Sequence, residues 1–384
     1  MKKQIALLLC LALLASLMTG CAGRKYEPSP APDPADAVPA ETAAATEPAE
    51  ETPEPEPETV PEETEPSGTD NCGFYDEPEE VHGHYTFQPK VCSSYMREVF
   101  GETMAETWFN LVDAVMAGED TFACPDAYTY DWVMGQFPDR CFPVLPELID
   151  YCYDRSNPVI DGVGSFTYLV PPEEAAARIE EFASLVEGIL NETLADDYSD
   201  LEKALALYLY FSHHYIYDYE AARPDVYADY LSSYRVLTTG TGICQEFSVA
   251  YSYLLLQAGV DASVMSGRRS WDGALHQWSY VKINGHNFHI DPTYVICDSD
   301  ALAYFMMTDE QREEADGYPQ DGFTICSHYS RDNPHPDYTA DDDSFREIWR
   351  GRFMEFDHKT RTLSYSAYNE NDQLVAMTFD YTGW

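Results

Sequence analysis

The stretch Gly242-Ile243-Cys244-Gln245-Glu246-Phe247 decides the fold of this chain, because it joins a glycine-bearing loop to the start of a helix. Phe247, Tyr251 and Leu254 follow at helical spacing and form one apolar stripe, with Cys244 at its N-terminal end. The thiol is therefore expected to point toward the body of the domain. A helix N-terminus stabilises negative charge and favours a thiolate, so the pattern indicates a nucleophile.

A hairpin further along the chain supplies the partners of this cysteine. Asn284-Gly285 is the strongest two-residue signal for a hairpin turn. If these are the two loop residues, Ile283 pairs with His286. Alternation then places one set of side chains on a single face: His276, Trp278, Tyr280, His289 and Asp291.

In this register His276 and Asp291 are diagonal neighbours, within reach of each other's side chains. A carboxylate can accept from one imidazole nitrogen while the other nitrogen faces a thiol. The sequence thus predicts Cys244, His276 and Asp291 as a catalytic triad, and a register shift of one residue would separate the last two. His289 is expected to support the strand, with lining of the site as the alternative. His286 falls on the opposite face, so no metal site and no cofactor are expected.

Three motifs resemble the transglutaminase-like superfamily, in which Cys, His and Asp follow in this order on a papain-like fold. They are Gly242-Ile243-Cys244, Leu275-His276-Gln277-Trp278 and His289-Ile290-Asp291-Pro292-Thr293. The resemblance covers roughly residues 201–308, and Tyr215-Ile216-Tyr217-Asp218 matches the helix that approaches the site. It implies a thiolate–imidazolium nucleophile, Asp291 as the orienting residue and a thioester intermediate.

The same resemblance implies an oxyanion hole formed in part by the backbone N–H of Cys244. Tyr234 matches a recurring upstream aromatic position. Together with Trp278 it is a candidate for the second oxyanion donor or for a substrate contact. Gln277 stands where alanine is usual, and Ser279 replaces a frequent asparagine. These departures leave the triad intact but leave the substrate open.

The fold class predicted from these features is α+β. It has a papain-like or transglutaminase-like core, with a central helix packed on an antiparallel sheet. The predicted division is a lipoprotein signal peptide (1–20), a disordered Pro/Glu-rich tether (21–79), a mainly helical region (80–198), the transglutaminase-like domain (199–330) and C-terminal strands (331–384). Ser199 and Glu202 fit a capping box. Pro138, Pro143 and Pro146 are expected to break an aromatic-rich stretch at residues 128–153. The C-terminal β-meander either extends the sheet or forms a small appended unit.

The N-terminus reads as a targeting segment. Lys2 and Lys3 precede an apolar run, residues 5–17, that is shorter than the ~20 residues a membrane span needs. The run ends in Leu17-Met18-Thr19-Gly20-Cys21, which resembles the lipobox of bacterial lipoproteins and predicts lipidation of Cys21; an ordinary secretory signal is the alternative. We therefore expect an extracellular protein held at the cell membrane by a lipid anchor only, with residues 21–79 as a tether or a Pro-motif ligand.

The charge of the chain limits the classes of molecule that it is expected to bind. Lys and Arg number 22 against 68 Asp and Glu, a net charge of −46, which argues against nucleic acid as a partner. A peptide or protein substrate is expected, cleaved by hydrolysis or joined to an amine; hydrolysis is slightly favoured because water is always present. The alternative is a catalytically inactive module that binds peptides or cell-wall polymer. Outside positions 10, 21 and 244 the chain has an odd number of cysteines, whose pairing the sequence leaves open.

Overall fold

The computed structural model describes residues 83–152, 157–223, 231–326 and 338–384. The predicted signal peptide, the tether, Cys21 and the predicted boundary at residues 330 and 331 lie outside these ranges. Within them, no helix is both long enough and apolar enough to cross a membrane.

The N-terminal part is mainly helical and carries a small antiparallel sheet. Its helices are α1 (Ser94–Phe100), α2 (Glu102–Ala117), α3 (Ala127–Cys141) and α4 (Pro172–Thr193). Its strands are β1 (Thr121–Ala123), β2 (Ile149–Tyr151), β3 (Val159–Ile160) and β4 (Val163–Tyr168), with β4 at the centre of the pairing.

Helix α3 runs through Pro138 and continues to Cys141, so the predicted break at Pro138 is wrong. Proline lacks the N–H that would bond one turn back, but it lies near the end of the helix, where little follows to be disrupted. Phe137 and Cys141 are both fully buried, and the carbonyl of Pro138 still accepts from the N–H of Phe142 at 2.8 Å. Tertiary burial of the last turn outweighs the lost bond.

Helix α5 (Asp200–His214) begins at the predicted capping box. The backbone N–H of Ser199 donates to the Glu202 carboxylate at 2.7 Å, and the N–H of Glu202 donates to the Ser199 hydroxyl at 3.4 Å. The same carboxylate accepts from the hydroxyl of Tyr381 at 3.0 Å and lies 2.9 Å from Nδ1 of His358. Glu202 therefore joins the start of α5 to the C-terminal part of the chain.

The matching of residues 215–218 to an approach helix is wrong at this point, because α5 ends at His214. Ile216–Tyr217 instead forms strand β5, which pairs in parallel with β6 (Thr241–Gly242). Between them lies helix α6 (Ser233–Thr239). A β-branched and an aromatic residue favour a strand here, and the pairing ties this segment to the residues just before Cys244.

The central helix α7 (Cys244–Gln257) leads into a four-stranded antiparallel sheet. Its strands are β7 (Asp261–Arg268), β8 (Leu275–Ile283), β9 (His286–Ile290) and β10 (Thr324–Ile325), and they lie in the order β10-β7-β8-β9. The predicted register is confirmed, since Ile283 pairs with His286 and Tyr280 with His289. Asn284 and Gly285 have φ values of 51° and 83°, the left-handed values that a tight hairpin turn of this type needs.

Serine side chains let α7 lie close on this sheet. The hydroxyl of Ser252 donates to the carbonyl of Ser263 at 2.8 Å, and that of Ser279 donates to the carbonyl of Ser248 at 3.0 Å. Because the C-terminal end of α7 leads directly into β7, its N-terminal end lies at the opposite end of the sheet. That is the end at which β8 begins, with Leu275 and His276.

The rest of the described chain closes around this core. Two short helices follow the hairpin, α8 (Pro292–Cys297) and α9 (Asp309–Asp316). Strands β11 (Arg352–Asp357), β12 (Thr362–Tyr368) and β13 (Leu374–Asp380) form a separate three-stranded antiparallel sheet. The C-terminal meander is thus an added sheet and does not extend the central one. The predicted α+β fold class, with a central helix packed on an antiparallel sheet, is confirmed.

Candidate active site

The loop before the cysteine depends on a close approach at Gly242. A side chain there would place its first carbon 2.5 Å from Cγ2 of Val236, closer than real contacts allow. Glycine at this position allows the backbone to lie close against α6. Helix α7 then begins at Cys244. Cys244 is buried and disulfide-bonded, so its thiol has to be released by reduction before it can act.

A buried ion pair fixes this helix start. The carboxylate of Glu246 accepts from the backbone N–H groups of Ser232 at 3.0 Å and of Ile243 at 2.9 Å. The guanidinium of Arg235 donates to it twice, at 2.8 and 2.6 Å, and also reaches Asp218 at 2.8 Å. Burial raises the pKa of Glu246 although Arg235 and the two N–H groups oppose that change. The pair therefore holds α6, the start of α7 and the segment after β5 together.

His276 and Asp291 meet as the hairpin register predicts. Nε2 of His276 lies 2.7 Å from Oδ2 of Asp291, which is fully buried. The other carboxylate oxygen accepts from the backbone N–H of Thr293 at 3.1 Å and so caps α8. Burial alone would raise the pKa of Asp291, but His276 and the cation of Arg312 hold it below its ordinary value. Asp291 is thus an ionised acceptor that can orient the imidazole.

The orientation of His276 decides which nitrogen is left for chemistry. Asp291 engages Nε2, so Nδ1 is the atom that can exchange a proton with a thiol. The imidazole stacks on Tyr294 of α8, with ring centres 4.9 Å apart and planes 19° apart. Helix α8 packs against both α7 and β8. It therefore links the element that carries Cys244 to the one that carries His276.

Trp278 supports the site from behind. It is fully buried, and its indole N–H donates to Nδ1 of His289 at 2.7 Å, so that N–H is already used. Since an indole N–H can only donate, Nδ1 of His289 must accept, and Nε2 carries the proton that bonds Asp309 at 2.7 Å. Burial lowers the pKa of His289. His289 is a neutral support for the strand, as expected.

Tyr234, the other predicted oxyanion or substrate candidate, lies on α6. Its ring is half-buried and packs on Phe182 of α4, with ring centres 5.9 Å apart. This contact joins the N-terminal helices to the segment that precedes the cysteine. Its part in an oxyanion hole stays a prediction.

Sequence reasoning missed two charged residues near the predicted triad. Glu246 had a weak signal, because an acidic residue three positions into a helix commonly reaches back to the backbone. Arg312 had none: it stands in the run Asp309-Glu310-Gln311-Arg312-Glu313-Glu314, which reads as a solvated helix, yet its side chain is fully buried. Only the folded arrangement shows that Arg312 contacts Asp291.

The comparisons with known proteins agree with this core. A family model described as the transglutaminase-like superfamily matches residues 187–292, which contain Cys244, His276 and Asp291. The chain therefore carries a transglutaminase-like domain over these residues. No curated protein matches the chain.

Solved structures with a similar arrangement share little sequence with this chain. A proposed cysteine protease from Cytophaga hutchinsonii is 14% identical, with 38% of this chain and 42% of that one covered and a TM-score of 0.26. A TGase is 20% identical, with 47% of each chain covered and a TM-score of 0.28. The periplasmic domain of TgpA from Pseudomonas aeruginosa, bound to ethylmercury, is 21% identical over 25% of this chain and 38% of that one, with a TM-score of 0.20. The chain spans less than half the length of each of these structures.

Proposed function

We propose that this protein is a transglutaminase-like thiol enzyme that acts on amide bonds of peptides or proteins through a thioester. The observation that carries the proposal is the 2.7 Å bond from His276 to the buried Asp291, at the end of the sheet where α7 begins with Cys244. An oriented imidazole at the same end of the sheet as a thiol at a helix N-terminus supports a thiol nucleophile.

The proposed reaction starts with transfer of the Cys244 proton to Nδ1 of His276, while Asp291 stabilises the resulting imidazolium. The thiolate sulfur bonds the substrate carbonyl carbon, and the backbone N–H of Cys244 stabilises the oxyanion. The C–N bond then breaks, and His276 gives its proton to the leaving amine, which leaves a thioester. Water or a second amine attacks the thioester and restores the thiol, giving hydrolysis or acyl transfer respectively.

The location belongs to the same proposal. We propose that Cys21 is lipidated and that the enzyme acts at the extracellular face of the membrane, with peptide or protein substrates reached through the tether. The Cys21→Ala variant is expected to stay uncleaved or to leave the membrane fraction. Normal cleavage and full membrane association of that variant would count against the anchor.

The activity is tested by alkylation with iodoacetamide at graded pH, after reduction of the protein. A Cys297→Ser background is needed because Cys297 is an exposed free thiol that would compete for the reagent. We expect Cys244 to react at pH values well below the ~8.5 at which an ordinary thiol ionises. His276→Ala should abolish this low-pH reactivity. Ordinary thiol behaviour of Cys244 in the folded protein would favour the inactive binding module instead.

The substrate is sought by trapping. Reduced protein is incubated with cell-surface extract, and the mass of the peptide that carries Cys244 is measured for an acyl adduct. For any substrate found, Asp291→Asn should lower kcat/KM by roughly 10³–10⁴-fold, because an amide side chain no longer stabilises the imidazolium. An adduct that also forms on the His276→Ala protein would speak against triad chemistry.

A further inference from the structure

A second cation lies behind the proposed catalytic base. Helix α9, outside the residues that the family model matches, carries Arg312, whose side chain is fully buried. Its Nη1 lies 3.2 Å from Oδ2 of Asp291, the same oxygen that bonds His276. The same nitrogen lies 3.0 Å from Oδ2 of Asp316. One guanidinium therefore bridges the triad carboxylate and a second carboxylate.

Aromatic rings hold this guanidinium in place. Its central carbon lies 4.3 Å from the ring centre of Trp278 and 5.0 Å from that of Tyr318. The same two rings lie beside the imidazole of His276, at 5.9 and 5.6 Å between ring centres. Arg312 thus occupies a fixed position in the layer directly behind the base, favoured by cation–π attraction.

A buried charge of this kind is costly unless it is paired, and an apolar side chain of similar size would often be as stable. The position of Arg312 therefore points to an electrostatic effect on the site. A cation on the Asp291 oxygen weakens the field that this carboxylate exerts on the imidazole. The imidazolium then gives up its proton more readily, which the transfer to the leaving amine requires.

We propose that Arg312 is a positioning residue that holds Asp291 and tunes the protonation of His276, with Asp316 as the counter-charge that limits its effect. The proposal deepens the proposed function and rests on it. It concerns the strength of the base and leaves the substrate open.

Other groups share this environment and would enter any pH dependence. The titratable and charged side chains that face the base and its partners from the surrounding elements are Asp291, Tyr294, Arg312, Asp316, Tyr318 and Arg269. On the far side of Trp278 lies the neutral His289 with Asp309. Asp291 bonds the imidazole, and Tyr294 and Tyr318 pack on it. Arg312 and Asp316 can be replaced without removing any of these contacts.

The test uses two substitutions with opposite predicted effects. Arg312→Met removes a cation and should stabilise the imidazolium, so the midpoint of the His276 titration rises by about one pH unit. Asp316→Asn removes the counter-charge and should lower the midpoint. Arg312→Lys keeps the charge and should restore most of it. Arg178→Met, which loses an exposed cation on α4, should leave the midpoint unchanged.

The midpoint is read by NMR from the imidazole signals of His276 in full-length protein that also carries Cys244→Ala, with the signals assigned by their loss in His276→Gln. This readout needs neither substrate nor a reactive thiol, so it is independent of the proposed activity. A reactive Cys244 with unmoved midpoints would overturn the role of Arg312 alone. If Arg312→Met fails to fold, the direction of the shift in Asp316→Asn decides, and no shift or an upward one refutes the inference.

Discussion

Replacing Glu246 with alanine removes the carboxylate that holds the start of α7. The side chain is 1% exposed and accepts hydrogen bonds from two backbone N–H groups and twice from the guanidinium of Arg235. Breaking a buried ion pair by removing one partner costs about 3–5 kcal/mol, because the other charge stays behind. Arg235 is partly exposed and keeps Asp218 as a partner, which places the expected loss near 3 kcal/mol.

The assay is urea unfolding at neutral pH, followed by tryptophan fluorescence. The midpoint should fall with an unchanged denaturant slope, since a changed slope would mean a different surface exposed on unfolding. Glu174→Ala is the matched control, because its carboxylate pairs with Arg178 on the surface of α4 and should change stability by less than about 0.5 kcal/mol.

A double variant separates the ion pair from simple loss of packing. Arg235→Met combined with Glu246→Leu removes both charges and should be more stable than the sum of the two single losses predicts. If the free energy of unfolding of Glu246→Ala lies within about 1 kcal/mol of that of the unaltered protein, the reasoning from burial and pairing is refuted. The same variant should also lower the reactivity of Cys244, because the helix start would no longer be fixed.

Three further predictions test separate features of the fold. Gly317→Ala should destabilise by at least about 1–2 kcal/mol in thermal unfolding, because φ is +71° and the added carbon would lie 1.9 Å from the Trp271 ring; Gly188→Ala, inside α4 with open space around it, should stabilise by roughly 0.5–1 kcal/mol. His289 has a pKa lowered by burial, so the stability it favours is present above its unfolded pKa of about 6.5 and is lost as pH falls. His289→Asn should therefore lose less stability than the unaltered protein between about pH 7 and pH 5 in urea unfolding, by up to about 1.4 kcal/mol per pH unit. Asn284→Ala should cost about 1 kcal/mol, because alanine tolerates its φ of 51° poorly, and a neutral result would contradict the turn assignment.

The hairpin could be predicted because its information is local. Two turn residues fix the register of β8 and β9, and the register alone brings His276 to Asp291. The capping box of Ser199 and Glu202 is local in the same way. The transglutaminase-like fold, in contrast, is predicted from the resemblance of three motifs to that superfamily.

The errors lie where distant contacts outweigh local preference. Pro138 stays helical because the turn around it is buried. Residues 216–217 form a strand because they pair with β6. Arg312 carries the same lesson for the site: its acidic neighbours in sequence predict solvent, while the pocket of aromatic rings that receives it is assembled from other elements.

Glu202 has a consequence for the order in which the chain folds. Its capping contact with Ser199 is complete as soon as α5 forms, but its bonds with His358 and Tyr381 span 156 and 179 residues. During synthesis the Glu202 carboxylate does not have both of these partners until residue 381 has been made, and contacts at such separations form late. The contacts of α5, the helix that begins the transglutaminase-like core, are therefore completed only after the C-terminal segment that carries His358 and Tyr381 has been made.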